Sequence, residues 1–325
     1  MARRPLSIPP LRMRLRPFGA SVTIEADDDR FLAAARFAMA RYPSAAGLGS
    51  PGLATEVHIS ASTVGDAAAE PAWPANRMTE HAAGLELSSG GSRVVVRRPA
   101  SGPAVAVVEL EPRLLEQPEA VRVFVEAGFW SAVIGRGLLY AVHSGLVGAA
   151  GAGLVLRGQS GAGKSTLTYA CVRRGMTMSS DDWIYALAGA APDRVFGYPW
   201  RMWLTVDAAE RFPELAPIVA LPHPGSDRIK VPMTPPVGRR RVSLPPRAIV
   251  FIEPSPDVRL SPVRADEAAE RFAMSALDSE RSSLPASFVA ELLDRPCYVL
   301  GRGASPDAAA ERLHVLALEL ARASE

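Results

Sequence analysis

The feature that most constrains this sequence is a short apolar run followed by a glycine-rich octapeptide. Residues 154–156 are Leu-Val-Leu, and residues 158–165 are GQSGAGKS. A helical segment follows, from Lys164 to Arg174. A strand, a glycine loop and a helix in this order fit the phosphate-binding pattern G-x-x-x-x-G-K-S/T. The pattern therefore predicts an α/β fold in which a buried strand leads into the loop.

Each part of the octapeptide has a physical role in binding a nucleoside triphosphate. Glycines let successive N–H groups point at phosphate oxygens, and the helix N-terminus adds partial positive charge. Lys164 can reach the β- and γ-phosphates, and the Ser165 hydroxyl can ligate Mg²⁺. The predicted nucleotide contacts are Gly158, Ser160, Gly161, Ala162, Gly163, Lys164, Ser165 and Thr166. ATP with Mg²⁺ is the expected ligand, and GTP stays open because the motif does not read the base.

Composition narrows the class of protein further. The 325 residues are 48% hydrophobic and carry a net charge of +2, which excludes a disordered chain and argues against a general nucleic-acid or membrane-surface binder. The two cysteines, Cys171 and Cys297, indicate a reducing compartment. Lysine is rare: Lys164 and Lys230 are the 2 lysines among 36 basic residues. Since arginine replaces lysine readily on solvated surfaces, each of these lysines is a functional candidate.

The chain is predicted to have two domains with a boundary near residue 125. In residues 1–125, alternating runs predict strands, Asp27–Asp29 can cap a helix to about Tyr42, and Gly90-Gly91 indicates a hairpin. Residues 126–325 contain the glycine loop and end in an Ala-rich helix. A helix is predicted from Pro118 to Val142 and on to about Val147, followed by a strand from Gly153.

Two segments of the second domain allow other interpretations. Residues 137–156 are twenty residues without formal charge, about the length of a membrane span, but the glycine loop requires a short strand there. We therefore expect no membrane segment. Residues 222–247 contain seven prolines, a density that predicts a long loop rather than regular structure.

Two adjacent carboxylates, Asp181 and Asp182, lie 17 and 18 residues after Lys164. Gly175 is predicted to end the intervening helix, and a short strand then presents both acids. One carboxylate can hold Mg²⁺, and the other can accept a proton from an attacking hydroxyl. The same residues also fit an exposed Asp-Asp turn that caps the next element.

Other candidate site residues also fit a purely structural role. His143 fits a histidine in the core, on an apolar helix. Arg201 is the lone charge in an aromatic segment and, if buried, needs an anionic partner, either phosphate or an acid. Lys230 lies in the Pro-rich segment. Arg239–Arg241 fits either a solvated loop or a site for an acidic acceptor.

Residues 143–182 resemble the catalytic core of HPr kinase/phosphorylase and its relatives, which share a phosphoenolpyruvate-carboxykinase-like P-loop fold. The matching features are His143, the GQSGAGKS loop, Arg173-Arg174-Gly175 and Ser180-Asp181-Asp182. The resemblance covers about 40 residues and does not reach the first 125. The Glu-x-Arg-Gly-x-Gly-type segment of the bifunctional enzymes is absent, and residues 197–201 occupy its place.

The resemblance implies a role for each candidate. Asp181 would be the base, Asp182 and Ser165 the Mg²⁺ ligands, and His143 a neighbour of the reacting phosphoryl group. Arg201 would contact phosphate, and Lys230 is a further candidate contact with the bound nucleotide. Relatives of this kind assemble into homo-oligomers, and the same is expected here.

The sequence therefore predicts a cytoplasmic, ATP- and Mg²⁺-dependent phosphotransferase that phosphorylates a hydroxyl by in-line transfer. The first choice of acceptor is a serine of a peptide or protein, with residues 1–125 as a possible recognition domain. Two alternatives stay open: a kinase of a small hydroxyl metabolite, and a non-catalytic nucleotide-binding regulatory module. Neither nucleic acid nor a membrane is an expected partner.

Overall fold

The computed structural model describes residues 10–43, 55–65, 77–81, 84–99, 101–189, 193–219 and 230–323. These residues divide into two compact units, one ending at Leu138 and one beginning at Leu139. The predicted boundary at residue 125 falls within a helix that belongs to the first unit. The structure confirms the predicted mixed α/β class.

The first unit contains one mixed sheet and helices packed against it. Its strands are β1 (Leu11–Leu15), β2 (Ser21–Ala26), β3 (Glu56–Thr63), β4 (Arg77–His81), β5 (Gly84–Ser89), β6 (Ser92–Arg97) and β7 (Ala104–Leu110). They form a seven-stranded sheet in the order β1-β2-β3-β7-β6-β5-β4. The helices are α1 (Asp29–Met39), α2 (Pro112–Leu115) and α3 (Pro118–Ile134).

Burial in this sheet alternates along the strands. In β7, alternate residues from Ala104 to Leu110 are buried, whereas Val105 and Val107 are exposed. Helices α1 and α3 pack against the strands. A period of two is what a sheet covered on one face requires. The predicted helix after Asp27–Asp29 is confirmed as α1, with Asp28 as its N-cap, and the predicted hairpin is confirmed as β5–β6.

The described strands of the second unit form three sheets. They are β8 (Leu139–His143), β9 (Gly145–Ala149), β10 (Ala152–Arg157), β11 (Thr177–Ser180), β12 (Trp183–Leu187), β13 (Val195–Phe196), β14 (Met202–Thr205), β15 (Lys230–Met233), β16 (Ser243–Leu244), β17 (Pro246–Glu253), β18 (Val258–Val263) and β19 (Cys297–Arg302). The sheets have the orders β11-β9-β10-β17-β19-β18, β16-β13-β12-β8 and β14-β15.

Helices cover both faces of the six-stranded sheet. The described helices of the second unit are α4 (Lys164–Arg173), α5 (Val206–Ala209), α6 (Ala216–Val219), α7 (Ala265–Met274), α8 (Asp278–Ser283), α9 (Ala286–Leu293) and α10 (Pro306–Arg322). Leu154 and Leu156 of β10 join the core formed with α4 and α10. Val155, between them, joins the opposite core with α7 and α9. Strands β10, β17 and β19 run parallel between these layers.

The predicted helix to Val142 and on to Val147 is wrong beyond Ile134. The chain leaves α3 through Gly137, whose φ is 65°, and then forms β8 and β9. Strand β8 pairs with β12, and β9 pairs with β10 and β11. A short apolar run fits a buried strand and a helix equally well, so periodicity alone could not separate them.

The Pro-rich segment is only partly a loop. Residues 220–229 lie outside the described part of the chain, but 230–233 form β15 and 246–253 form β17. Pro246 opens β17, a position where the missing N–H is tolerated. Among the described residues, no helix is long and apolar enough to cross a membrane.

Candidate active site

The glycine loop begins where β10 ends, and α4 starts directly after it. Gly161 and Gly163 have φ values of 83° and 97°, a region that side chains rarely adopt. A Cβ on Gly158 would lie 2.9 Å from the carbonyl oxygen of Ile252, so this position also requires glycine. Ser165 and Thr166 lie half-buried in the first turn of α4. The structure thus brings the predicted residues 158–166 together as one strand–loop–helix unit.

The Lys164 side chain folds back into this loop. Its Nζ donates to the carbonyl oxygens of Gly158, at 2.8 Å, and Gln159, at 3.2 Å. The residue is 7% exposed. Burial lowers the pKa of Lys164 from its ordinary value, and the negative charge of Asp182 opposes that shift. The Lys164 amino group is therefore held at the loop by two carbonyl oxygens, within the electrostatic reach of Asp182.

The two acids lie in a turn between β11 and β12. The Ser180 hydroxyl donates to the carbonyl oxygen of Trp183, at 2.6 Å, and accepts from the Asp182 N–H, at 3.2 Å. Strand β11 belongs to the six-stranded sheet and β12 to the four-stranded sheet. The predicted end of α4 is confirmed, because Gly175 has a φ of 98°. The turn is thus fixed at both ends by different sheets.

The two carboxylates have different surroundings. Asp181 is buried, and its Oδ2 accepts from the Trp203 N–H at 3.0 Å, which ties it to β14. The Asp182 side chain is 56% exposed, and its Oδ1 lies 3.1 Å from Nε2 of His143. The interpretation of both acids as an exposed capping turn therefore fails for Asp181.

His143 is the last residue of β8, not a residue of an apolar helix as predicted. It lies opposite Trp183 in the β8–β12 pair, with the two ring centroids 5.3 Å apart. Its backbone N–H donates to Oε1 of Glu280 at 3.0 Å. Its Nδ1 is buried and has no hydrogen-bond partner among the described residues. The strand thus brings the imidazole to Asp182.

Arg157 and Glu280 are site neighbours that sequence analysis missed. Both side chains are fully buried, and Arg157 Nη1 lies 2.8 Å from Glu280 Oε1. Arg157 could have been noticed as a charge at the end of an apolar strand, directly before Gly158. Glu280 lies 123 residues away in the sequence, and no local pattern indicates its position.

Arg201 and Lys230 lie at opposite ends of the β14–β15 ribbon. Arg201 directly precedes β14, and its Cζ lies 5.8 Å from the ring centroid of Trp203, whose N–H binds Asp181. Lys230 pairs with Thr205, three residues further along the ribbon than Met202. The structure therefore connects Arg201 to the acidic turn through Trp203.

A cavity of about 360 Å³ borders the glycine loop. Its walls are loop residues 158–162, residues 251–254 at the carboxyl end of β17, and Arg271, Met274 and Ser275 at the end of α7. Ligands of α/β sheets commonly bind beyond the carboxyl ends of the parallel strands. The apolar run 248–252 was the available sequence signal for a strand beside the loop.

The residues present fit a nucleotide bound together with Mg²⁺. Among the described residues, no three His, Cys, Asp or Glu side chains gather as a metal site of their own. Mg²⁺ is usually held by one or two carboxylates together with substrate phosphates, and it keeps several waters. The exposed carboxylate of Asp182 and the Ser165 hydroxyl are donors of the expected type.

Comparison with known proteins assigns no family. No family model and no curated protein matches this chain. The HPr(Ser) kinase/phosphatase of Coxiella burnetii is a solved structure similar to it, at a TM-score of 0.30 and 12% identity, over 57% of this chain and 95% of that one. A similarity of that size is too low to support a conclusion about function.

Proposed function

We propose that this chain is a kinase related to HPr kinase/phosphorylase, which transfers the γ-phosphoryl group of ATP to a hydroxyl. One observation carries the proposal. A buried lysine lies inside a glycine loop between β10 and α4, and Asp182, whose negative charge opposes the lowering of that lysine's pKa, contacts His143. A phosphate-binding loop, a lysine and a carboxylate are recurring parts of phosphoryl-transfer sites.

The residues divide the work of binding and transfer. Backbone N–H groups of the loop and the α4 N-terminus bind the phosphates, and Lys164 neutralises their charge. Ser165 and Asp182 would hold Mg²⁺, which when bound neutralises charge on the phosphate oxygens. Asp181, fixed by the Trp203 N–H, accepts the proton of the attacking hydroxyl. Most of the catalysis then comes from positioning and charge neutralisation.

The acceptor is proposed to be a serine of a peptide or protein, with a small hydroxyl metabolite as the alternative. Arg239–Arg241 supplies positive charge that suits an acidic acceptor or the transferred phosphate. Arg239 itself donates to the carbonyl oxygen of Gly175, so this run is attached at the end of α4.

One contact favours the second candidate function, a nucleotide-dependent regulatory module. Asp181 is 6% exposed and already accepts a backbone hydrogen bond, as a purely structural aspartate would. Asp181→Asn separates the two functions, because asparagine keeps a carbonyl oxygen for Trp203 but is not a base. A kinase loses about 10²–10⁴-fold in turnover and keeps its ATP affinity, whereas a regulatory module is unchanged.

The deciding experiment is a transfer screen with γ-labelled ATP and Mg²⁺. The acceptors are serine-containing peptides, HPr and a panel of hydroxyl metabolites, and Lys164→Ala is the control. Label that moves to one acceptor, and not with Lys164→Ala, establishes the kinase and its acceptor class. ATP binding without any transfer favours the regulatory module, and no ATP binding excludes both.

A further inference from the structure

A fully buried ion pair lies directly below the glycine loop. Arg157 Nη1 and Nη2 donate to the two Glu280 oxygens at 2.8 and 3.4 Å, and neither side chain has exposed surface. The Arg157 guanidinium also stacks on Phe272, with Cζ 3.7 Å from the ring centroid. Burying two charges is costly, and such pairs commonly add no stability over apolar residues of the same size. The location of the Arg157–Glu280 ion pair therefore needs an explanation other than stability.

The same two side chains hold the backbone of His143. Glu280 Oε1 accepts the His143 N–H at 3.0 Å, and Arg157 Nη1 lies 3.4 Å from the His143 carbonyl oxygen. Among the described strands, β8 is at the edge of its sheet, so some of its N–H groups have no described strand as a partner. Glu280 supplies the acceptor at the residue whose imidazole contacts Asp182. Glu280 Oε2 is itself fixed by the Leu277 N–H at 2.7 Å.

Arg157 is also joined covalently to the loop. The next residue is Gly158, whose carbonyl oxygen accepts from Lys164 Nζ at 2.8 Å. The ion pair thus connects the loop, on one side, to His143 and Asp182 on the other. We propose that Arg157 and Glu280 are a positioning pair, which fixes His143, and through it Asp182, relative to the glycine loop. The effect of this pair on turnover rests on the proposed kinase function. Its effect on the position of His143 does not.

The test is the double variant Arg157→Met/Glu280→Met, which removes both charges at similar volume. The matched control is Arg122→Met/Glu126→Met, because that pair is also largely buried but lies on helix α3 of the other unit. The α3 control is expected to keep the wild-type denaturation midpoint. The site variant is expected to lower it, because the His143 and Leu277 N–H groups lose their acceptor. The site variant should keep its ATP affinity and lose about 100-fold in phosphoryl-transfer turnover, since small displacements of catalytic groups have effects of that size.

A second readout does not need turnover. The ¹³Cε1 resonance of His143, assigned with His143→Gln, reports the surroundings of the imidazole. We expect it to shift in the site variant and in Glu280→Gln, a milder change that serves if the double variant does not fold. The chemical shift of this resonance should not change in the Arg122→Met/Glu126→Met control. An unchanged resonance, or full turnover in a folded site variant, overturns the positioning role. If the wild type transfers no phosphate, the kinase proposal fails, and the resonance alone decides on the pair.

Discussion

The main sheets of the two units bury their residues in different patterns. In β3 and β7 of the first unit burial alternates, whereas in β10 of the second unit every residue is buried. The first sheet needs apolar side chains on one face only, and the second needs them on both. The continuous pattern therefore marks the strand that is held by packing from two sides, and this strand leads into the glycine loop.

Buried charges are also distributed unequally. Among the described residues, the second unit buries Arg157, Lys164, Asp181 and Glu280, whereas the first buries Arg122, which pairs with Glu126. Charged groups are buried at a cost that only partners offset. The buried charges of the second unit are thus concentrated around the glycine loop, as expected where a site needs fixed charges.

The largest expected contrast comes from the same substitution in both sheets. Val155→Thr places a hydroxyl in a fully buried position of β10 and should lower the free energy of unfolding by about 1–3 kcal/mol. Val107→Thr, at a position that is 37% exposed, should change it by less than about 0.5 kcal/mol. Guanidinium denaturation followed by circular dichroism measures both. Equal losses would show that the two strands are not covered as different layers.

A smaller contrast compares two glycines with the same backbone conformation. Gly161 in the loop and Gly102 in the first unit have φ values of 83° and 84°, and no described atom lies within 4 Å of a Cβ built on either. Alanine should destabilise both by about 1 kcal/mol, because of the left-handed backbone.

Only the loop variant should lose ATP affinity, by at least about tenfold, because its N–H groups are redirected. Isothermal titration calorimetry of the two alanine variants measures this difference. An ATP affinity that falls equally with Gly102→Ala would remove the assignment of the site to the second unit.

The smallest contrast needs no substitution, because it compares the folded and the unfolded wild-type protein. Both cysteines belong to the second unit; burial raises the pKa of Cys171 above its ordinary range and that of Cys297 to about 11. At pH 8 only about one Cys297 thiol in a thousand is then ionised, so alkylation of the folded protein should be slow. Iodoacetamide labelling should appear only as the second unit unfolds. Fast labelling in the folded state would contradict the packing around β19.

The parts of the structure that were predictable are those specified by adjacent residues. The glycine loop, the Gly175 helix end, α1 and the β5–β6 hairpin all depend on local patterns, and the structure has them. The segment from Leu139 to Ala149 was misassigned because its glycines, valines and leucines satisfy both periodicities. Its strands are selected by partners elsewhere, β12 for β8 and β10 and β11 for β9.

The candidate site was predictable to a different degree for each residue. The spacing of Asp181 and Asp182 from Lys164 was visible, but the different surroundings of the two acids were not. That difference depends on Trp203 in the β14–β15 ribbon and on His143 at the end of β8, and both are distant from the turn in the sequence. Glu280 was beyond prediction, because its role arises only when the end of β8 and the end of β10 meet in space.

The paired strands around the acids also limit how this chain can change in length. Strands β8 and β9 pair with β12 and β11 as one antiparallel ribbon. The ribbon passes from one sheet to another at Ser144 in one segment of the chain and at Asp181-Asp182 in the other. One inserted or deleted residue in that turn would shift the register and reverse which side chains of β12 face inward. Substitutions can therefore accumulate around the acids during divergence, whereas insertions and deletions there are expected to be eliminated.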